Sequence, residues 1–261
     1  MSLLNFPTYV SVLLTIVISS TFSILLYFII HPFWARDLTE ETKKTAEQVV
    51  TRIGVVYAVV IGMMFANVRI EHVQMIQDIE SEASALIRLY GAIEQDKGKE
   101  GEEVRKNLLE YIRFIVEEQW PALRAARVQP GDRHLVGSDQ LNLAWDYVLR
   151  AEQETGNSNL RMLLDQVEHH RILRLFDSKG NILPLFWYIA TLGYFASLVP
   201  FFVHPPNVRR SLLIALYSSL VSVVLLGIFI LSHPYSEAAG IEPVVYKSLL
   251  QAVGSDLNNP Q

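Results

Sequence analysis

Residues 52–94 read RIGVVYAVVIGMMFANVRIEHVQMIQDIESEASALIRLYGAIE. An uncharged apolar run extends from Ile53 to Val68, and from Met63 through Tyr90 neither proline nor glycine interrupts the chain. The run is short for a hydrocarbon core, which takes about 20 apolar residues in helix. After Asn67 the pattern turns amphipathic, with Val68, Val73, Ile76, Ile79, Ala83, Leu86, Tyr90 and Ile93 close to helical spacing. The segment therefore reads as one rod. A helix from Ile53 to Gln95 would be roughly 60 Å long at ~1.5 Å per residue, about half of it outside a bilayer.

Three further charge-free blocks flank this rod, Met1–Ala35, Asn181–Val208 and Ser211–Ser236. Together they raise the hydrophobic content of the 261 residues to 51%, above the roughly 45–50% of soluble domains. The first block lacks a basic start, and its apolar stretch from Tyr9 to Ile30 outruns the ~7–15 residues of a signal-peptide core, so it reads as a retained span. It ends at His31-Pro32-Phe33-Trp34, where proline cannot extend the helix ladder and the aromatic pair suits a headgroup interface. Asp37 with Glu40 fits a capping box that opens a short helix over Leu38–Val50.

The expected fold is all-α: a polytopic membrane protein with four transmembrane helices and a helical extramembrane bundle inserted between the second and third spans. Residues 1–67 form the first transmembrane pair, 68–181 the bundle, 182–235 the second pair and 236–261 a C-terminal tail. The bundle, about 110 residues, has the size of a single domain. Asp96–Glu102 reads as a turn. Glu103–Gln119 is amphipathic, Pro121 kinks or restarts it, and Gln129-Pro130-Gly131-Asp132 ends that unit. Ser138 with Asp139 caps a helix carrying Leu141, Trp145, Val148 and Leu149. Gly156–Asn159 separates it from a last one with Leu160, Leu163, Leu164, Val167, Leu173 and Phe176, and Asp177–Asn181 is a turn. Pro184 suits the first turn of the third span, which closes at Pro200–Pro206, and the fourth runs Leu212–Leu231. Basic residues at span ends divide six against five between the two sides, so charge does not orient the chain.

No cysteine is present, which removes disulfides, thiolate metal sites and cysteine nucleophiles. A net charge of −5 without a basic cluster argues against nucleic acid. Adjacent helix positions point about 100° apart, so His169-His170 cannot offer two rings to one metal from one face. His31, His204 and His233 each precede a proline at a span end. Gly-rich phosphate loops, HExxH and GxSxG are all missing, and Ser19, Ser20 and Ser23 lie in an apolar span as ordinary helix-contact hydroxyls. No enzyme, cofactor or metal is expected.

In the second span Gly54, Ala58, Gly62 and Ala66 recur every four residues, a ridge on which another helix can approach closely, within one subunit or between subunits. Tyr57, Ile61 and Phe65 mark another stripe, which could form a dewetting constriction on a pore-facing helix or simply face lipid or core. Asn67 and Arg69 stand where the span leaves the bilayer. Glu82, Arg88, Arg171 and Arg174 read as ion pairs bracing neighbouring helices, with Glu80 beside them.

The chain resembles the bestrophin-like membrane proteins in Arg52–Ala58 leading to Gly62, in Glu82–Tyr90 (EASALIRLY), in Arg171 with Arg174, in Leu183-Pro184 with Trp187, and in His233-Pro234-Tyr235 before Pro243. These stretches span nearly the whole chain in order. The resemblance implies a homo-oligomer, a pentamer as in bestrophins, in the cell (inner) membrane among membrane lipids. The second span would line a pathway for inorganic ions, with Tyr57, Ile61 and Phe65 as neck residues and Asn67 and Arg69 beyond them. The alternative is a non-conducting scaffold or sensor whose bundle binds a protein partner. Bestrophins bind calcium through an acidic cluster after the last span. Here Glu237, Glu242 and Asp256 are scattered, so calcium control is not expected.

Overall fold

The computed structural model describes residues 7–34, 39–95, 98–125, 138–156, 158–176 and 182–257. The expected Asp37 cap, the start of the turn at Asp96, the stop at 129–132, the capping side chains of Ser138 and Asp139, Asn157, the turn at 177–181 and the Asp256 side chain lie outside the described residues. The described residues are helical, with no strand among them. They form two compact units, described separately below.

Unit 1 comprises Met1–Glu71, Asn181–His233 and Glu237–Ala239. It holds α1 (Thr8–Trp34), the first part of α2 (Glu40–Glu94), α7 (Pro184–Phe202) and α8 (Val208–Leu231). All four helices are long and apolar enough to cross a membrane. Pro184 opens α7, where its missing amide hydrogen costs no ladder bond. The helix ends at Phe202, within the expected Pro200–Pro206 stretch, with Pro200 in its last turn. At the start of α2 the Thr42 amide donates to Thr39 Oγ1 (3.3 Å), and the Asn207 side chain caps α8 in the same way through the Arg209 amide (3.4 Å).

Hydroxyls on α1 tie unit 1 together. Ser20 lies 2.8 Å from Ser219 of α8, Ser23 lies 2.6 Å from the Tyr194 hydroxyl of α7, and buried Tyr27 donates to the carbonyls of His204 and Pro205 (2.9 and 3.0 Å). Small side chains let the helices approach closely enough for these bonds. Large apolar residues such as Leu13, Val17, Leu192, Leu212 and Leu216 point outward and are exposed. Together they cover far more surface than the scattered apolar residues of a water-facing protein, and they suit a surface solvated by lipid.

Unit 2 comprises His72–Gly180, Pro234–Ser236 and Gly240–Gln261. It contains the rest of α2 with α3 (Lys99–Phe114), α4 (Trp120–Arg124), α5 (Ser138–Thr155), α6 (Asn159–Phe176) and α9 (Val244–Leu257). From α2, Met75, Ile79, Ala83, Leu86, Tyr90 and Ile93 enter one buried core with Leu108 and Ile112 of α3, Leu141 and Val148 of α5, and Leu163, Leu164 and Val167 of α6. Val73, Leu149 and Phe176, read from sequence as core-facing, are exposed instead. A π-helical turn, Ile115–Gln119, joins α3 to α4, and the Trp120 amide reaches back to Ile115 O. The wider turn stands directly before Pro121, whose ring would collide with a carbonyl four residues back in a regular helix. The C-terminal segment is a helix of this core rather than a tail, with Tyr246, Leu249 and Val253 buried.

At the centre of unit 2 the Glu82 carboxylate is fully buried and fully bonded. Arg174 Nε lies 2.7 Å from Oε2 and Nη2 3.2 Å from Oε1; Tyr111 donates to Oε1 (2.7 Å) and Tyr246 to Oε2 (2.8 Å). The same guanidinium donates to the buried Gln119 side chain, and Tyr235 donates to the Arg174 carbonyl (3.2 Å). Four acceptor sites and four donors leave the carboxylate no unmet hydrogen bond, the condition under which a buried charge is tolerable. Burial opposes the Arg174 charge, but Glu82 and the two phenols outweigh it and hold the guanidinium well above its ordinary range.

Arg174→Met leaves Glu82 buried without its counter-charge and should cost about 3–5 kcal/mol, read as a lower melting temperature of the full chain in detergent. Adding Glu82→Met should recover most of that loss, and a single variant as stable as the parent would contradict the assignment. Burial first, then the Glu82 charge, raises the Tyr111 and Tyr246 phenols well above their ordinary value. In the unfolded chain these phenols ionise near pH 10. Their contribution is therefore complete below about pH 10 and declines as pH rises beyond it. Melting curves across this range should fall less steeply for the Tyr111→Phe/Tyr246→Phe chain than for the parent.

Candidate functional site

Within unit 1, α2 presents two unlike faces. Tyr57, Ile61, Met64 and Val68, spaced four, three and four residues apart, form a buried stripe packed with Ala190 of α7 and Ile228 of α8. The Tyr57 hydroxyl donates to Ala190 O (3.0 Å). Its ring lies so close to Gly193 that a Cβ there would collide with it, so α7 needs glycine opposite the ring. Phe65 is half-covered, with its ring beside Gly227 of α8.

The opposite face is open. A side chain added at Gly54 or Gly62 would meet no atom of the chain within 4 Å. Ala58 and Ala66 are exposed, as are Val55, Val59 and Met63. Asn67 and Arg69 are exposed farther along. The uncovered side of α2 therefore carries a small-residue ridge beside exposed valines and Met63, while Tyr57, Ile61, Met64 and Val68 face inward. The expected neck of Tyr57, Ile61 and Phe65 is not one free stripe in a single chain, because α7 and α8 already cover its first two members. The amphipathic geometry that decides this is invisible where every position is apolar.

The remaining residues singled out from sequence lie in unit 2. Besides the Glu82–Arg174 pair, Arg88 donates to Gln166 (3.2 Å) and Arg171 to Glu168 (2.9 Å). Glu80 lines a polar cleft of ≈ 500 Å³ with Gln77, Arg88 and His170. His170 pairs with Asp78 (2.9 Å), and the His169 and His170 rings meet edge-on rather than side by side. In unit 1 the pre-proline histidines all find partners: His31 bonds Phe202 O and His204 bonds Glu47 (2.7 Å) across the unit, and His233 bonds Phe229 O within its own turn. The described residues contain no group of three or more His, Asp or Glu placed to hold a metal ion. Sequence reasoning did not find the Tyr111, Gln119 and Tyr246 contributions, since their roles follow only from helices meeting in space.

Against known proteins, the bestrophin-like domain model matches residues 17–246, which takes in both units. No curated protein and no solved structure matches the chain.

Gly193→Ala should displace the Tyr57 ring and break its bond to Ala190, costing about 1–3 kcal/mol. Pairing it with Tyr57→Leu should raise the melting temperature above that of Gly193→Ala alone, a coupling that independent sites would not give. A Gly193→Ala chain as stable as the parent would place the ring elsewhere.

Proposed function

Because the chain belongs to the bestrophin-like family, we propose that it is a channel-type protein of the cell membrane, in which copies assemble with the open face of α2 toward one another and toward a shared ion pathway. The observation that carries this reading is the small-residue ridge on α2: Tyr57, Ile61, Met64 and Val68 fill the chain's own core, while Ala58, Gly62 and Ala66 are exposed and a side chain added at Gly54 or Gly62 would meet open space. Lipid has no need of small residues, whereas a second helix needs them for close approach.

On this reading the four apolar helices of unit 1 cross the bilayer, and unit 2 lies in water. Support comes from the outward leucines of unit 1 and from α3, which buries Val104, Leu108 and Ile112 while turning its charged residues out. The pathway would be lined by Val59 and Met63, one turn apart on the exposed face, with Tyr57 and Ile61 bracing α2 from behind. A ring of such apolar side chains gates by excluding water. Arg69, one ring farther along, would attract anions.

The test is ion flux into liposomes containing the purified chain. Val59→Ser and Met63→Ser should wet the constriction and raise flux several-fold above the parent, and Met63→Trp should lower it. Flux at the level of empty liposomes for the parent and both serine variants, across chloride, nitrate, sodium and potassium salts, would end the channel reading.

A further inference from the structure

One feature of unit 1 plays no part in the ion pathway. Between the C-terminal half of α1 and the start of α8 lies an open cleft of ≈ 810 Å³. Ile24 and Phe28 of α1 form an apolar wall, and Asn207, Val208, Arg209 and Arg210 line the other side. No carboxylate lines it. The Arg209 side chain is exposed and forms no ion pair among the described residues, and Arg210 bonds neutral partners at the rim, the Pro205 carbonyl (2.9 Å) and the Tyr27 hydroxyl. Glu47, an acid of the same unit, is already engaged by His204. Two adjacent guanidiniums therefore meet apolar surface with no carboxylate among the described residues that line the cleft.

The apolar surface continues away from the charges. Val208 begins a stripe that passes through Leu212, Leu216 and Leu220 at successive turns of α8, with at least 66% of each side chain exposed. Phe28 and Leu25 are more than half exposed on α1. The charged end thus leads onto a long apolar track, the shape of a molecule with an anionic head and a hydrocarbon tail. Arginine binds phosphate oxygens through two parallel N–H donors and is less strongly hydrated than lysine, which suits it to a phosphodiester at a bilayer edge.

We propose that this cleft is a binding site for an acidic phospholipid, with Arg209 and Arg210 on the phosphate and an acyl chain along Phe28 and the Leu212–Leu216–Leu220 stripe. The proposal rests on unit 1 lying in a bilayer and is independent of whether the protein conducts. A basic site facing lipid contributes about 1 kcal/mol per arginine near the membrane surface, close to a fivefold change in occupancy for each charge.

The full chain, delipidated in neutral detergent, is titrated with dioleoylphosphatidylglycerol, dioleoylphosphatidylcholine or inorganic phosphate, and bound molecules are counted by native mass spectrometry. The parent should retain phosphatidylglycerol roughly 25-fold better than phosphatidylcholine, from two charges of about fivefold each. Arg209→Gln should lower that preference about fivefold. Arg209→Lys should keep most of it, and a Lys44→Gln control should leave it unchanged. Arg209 is exposed, so these variants should elute and melt as the parent does. Equal retention of the two lipids by the parent overturns the proposal, as does a preference untouched by Arg209→Gln. Displacement of phosphatidylglycerol by an equal concentration of inorganic phosphate assigns the site to free anion instead and overturns the lipid reading. Because no flux is measured, failure here leaves the channel question standing, and absence of flux leaves this one standing.

Discussion

A carboxylate with no access to water must find every one of its hydrogen bonds inside the protein. Glu82 meets that demand through Arg174, Tyr111 and Tyr246, and Arg174 in turn holds Gln119 and, through its carbonyl, Tyr235. These residues come from α2, α3, the π turn, α6, the segment before α9, and α9 itself. Displacing α2, α3, α6 or α9 would break a hydrogen bond to the buried carboxylate. Replacing such a pair with apolar side chains need not destabilise a fold, but removing one member does. The pair therefore ties α2 to its neighbours in unit 2, alongside the apolar core of Ile79, Leu86, Leu108 and Val167.

In unit 1 the position of α2 is set by shape instead of charge. Tyr57 occupies the space left by Gly193 and closes a hydrogen bond to Ala190 O. Ile61, Met64 and Val68 follow it into the contact with α7 and α8. With Tyr57, Ile61, Met64 and Val68 committed inward, the outside of the helix mixes valines and Met63 with the small residues Gly54, Ala58, Gly62 and Ala66. A helix designed for lipid contact alone would gain nothing from that choice, since glycine weakens a helix interior by roughly 1 kcal/mol relative to alanine. The cost is recovered only if another helix comes close.

Much of this was legible in the chain before any coordinates. Charge-free blocks of adequate length give α1, α7 and α8, and the absence of proline and glycine between Met63 and Tyr90 gives a single α2, which runs unbroken from Glu40 to Glu94. Pro121 marks the interruption after α3, although its form, a π turn, depends on how the carbonyls ahead of the ring rearrange. What could not be read are facts about faces and partners. Every residue from Ile53 to Ala66 is apolar or small, so hydropathy carries no phase, and the division between covered Tyr57 and open Gly62 appears only when α7 and α8 are in place. The partner of Arg174 is 92 residues away in sequence, and Tyr246 comes from a segment whose short apolar run gave no hint of a buried phenol.

The central claim is that α2 meets other copies of itself through its small-residue face. The chain has no cysteine, so single cysteines can be placed without background at Ala58, Gly62 or Ala66 on the open face and at Ile61 or Met64 on the covered one. The membranes are then treated with copper phenanthroline or a short bis-maleimide. The account predicts covalent dimers, the limit for one thiol per chain, from Ala66→Cys and Gly62→Cys, and none from Ile61→Cys or Met64→Cys. Crosslinking from the covered positions alone, or from no position on α2, would contradict it.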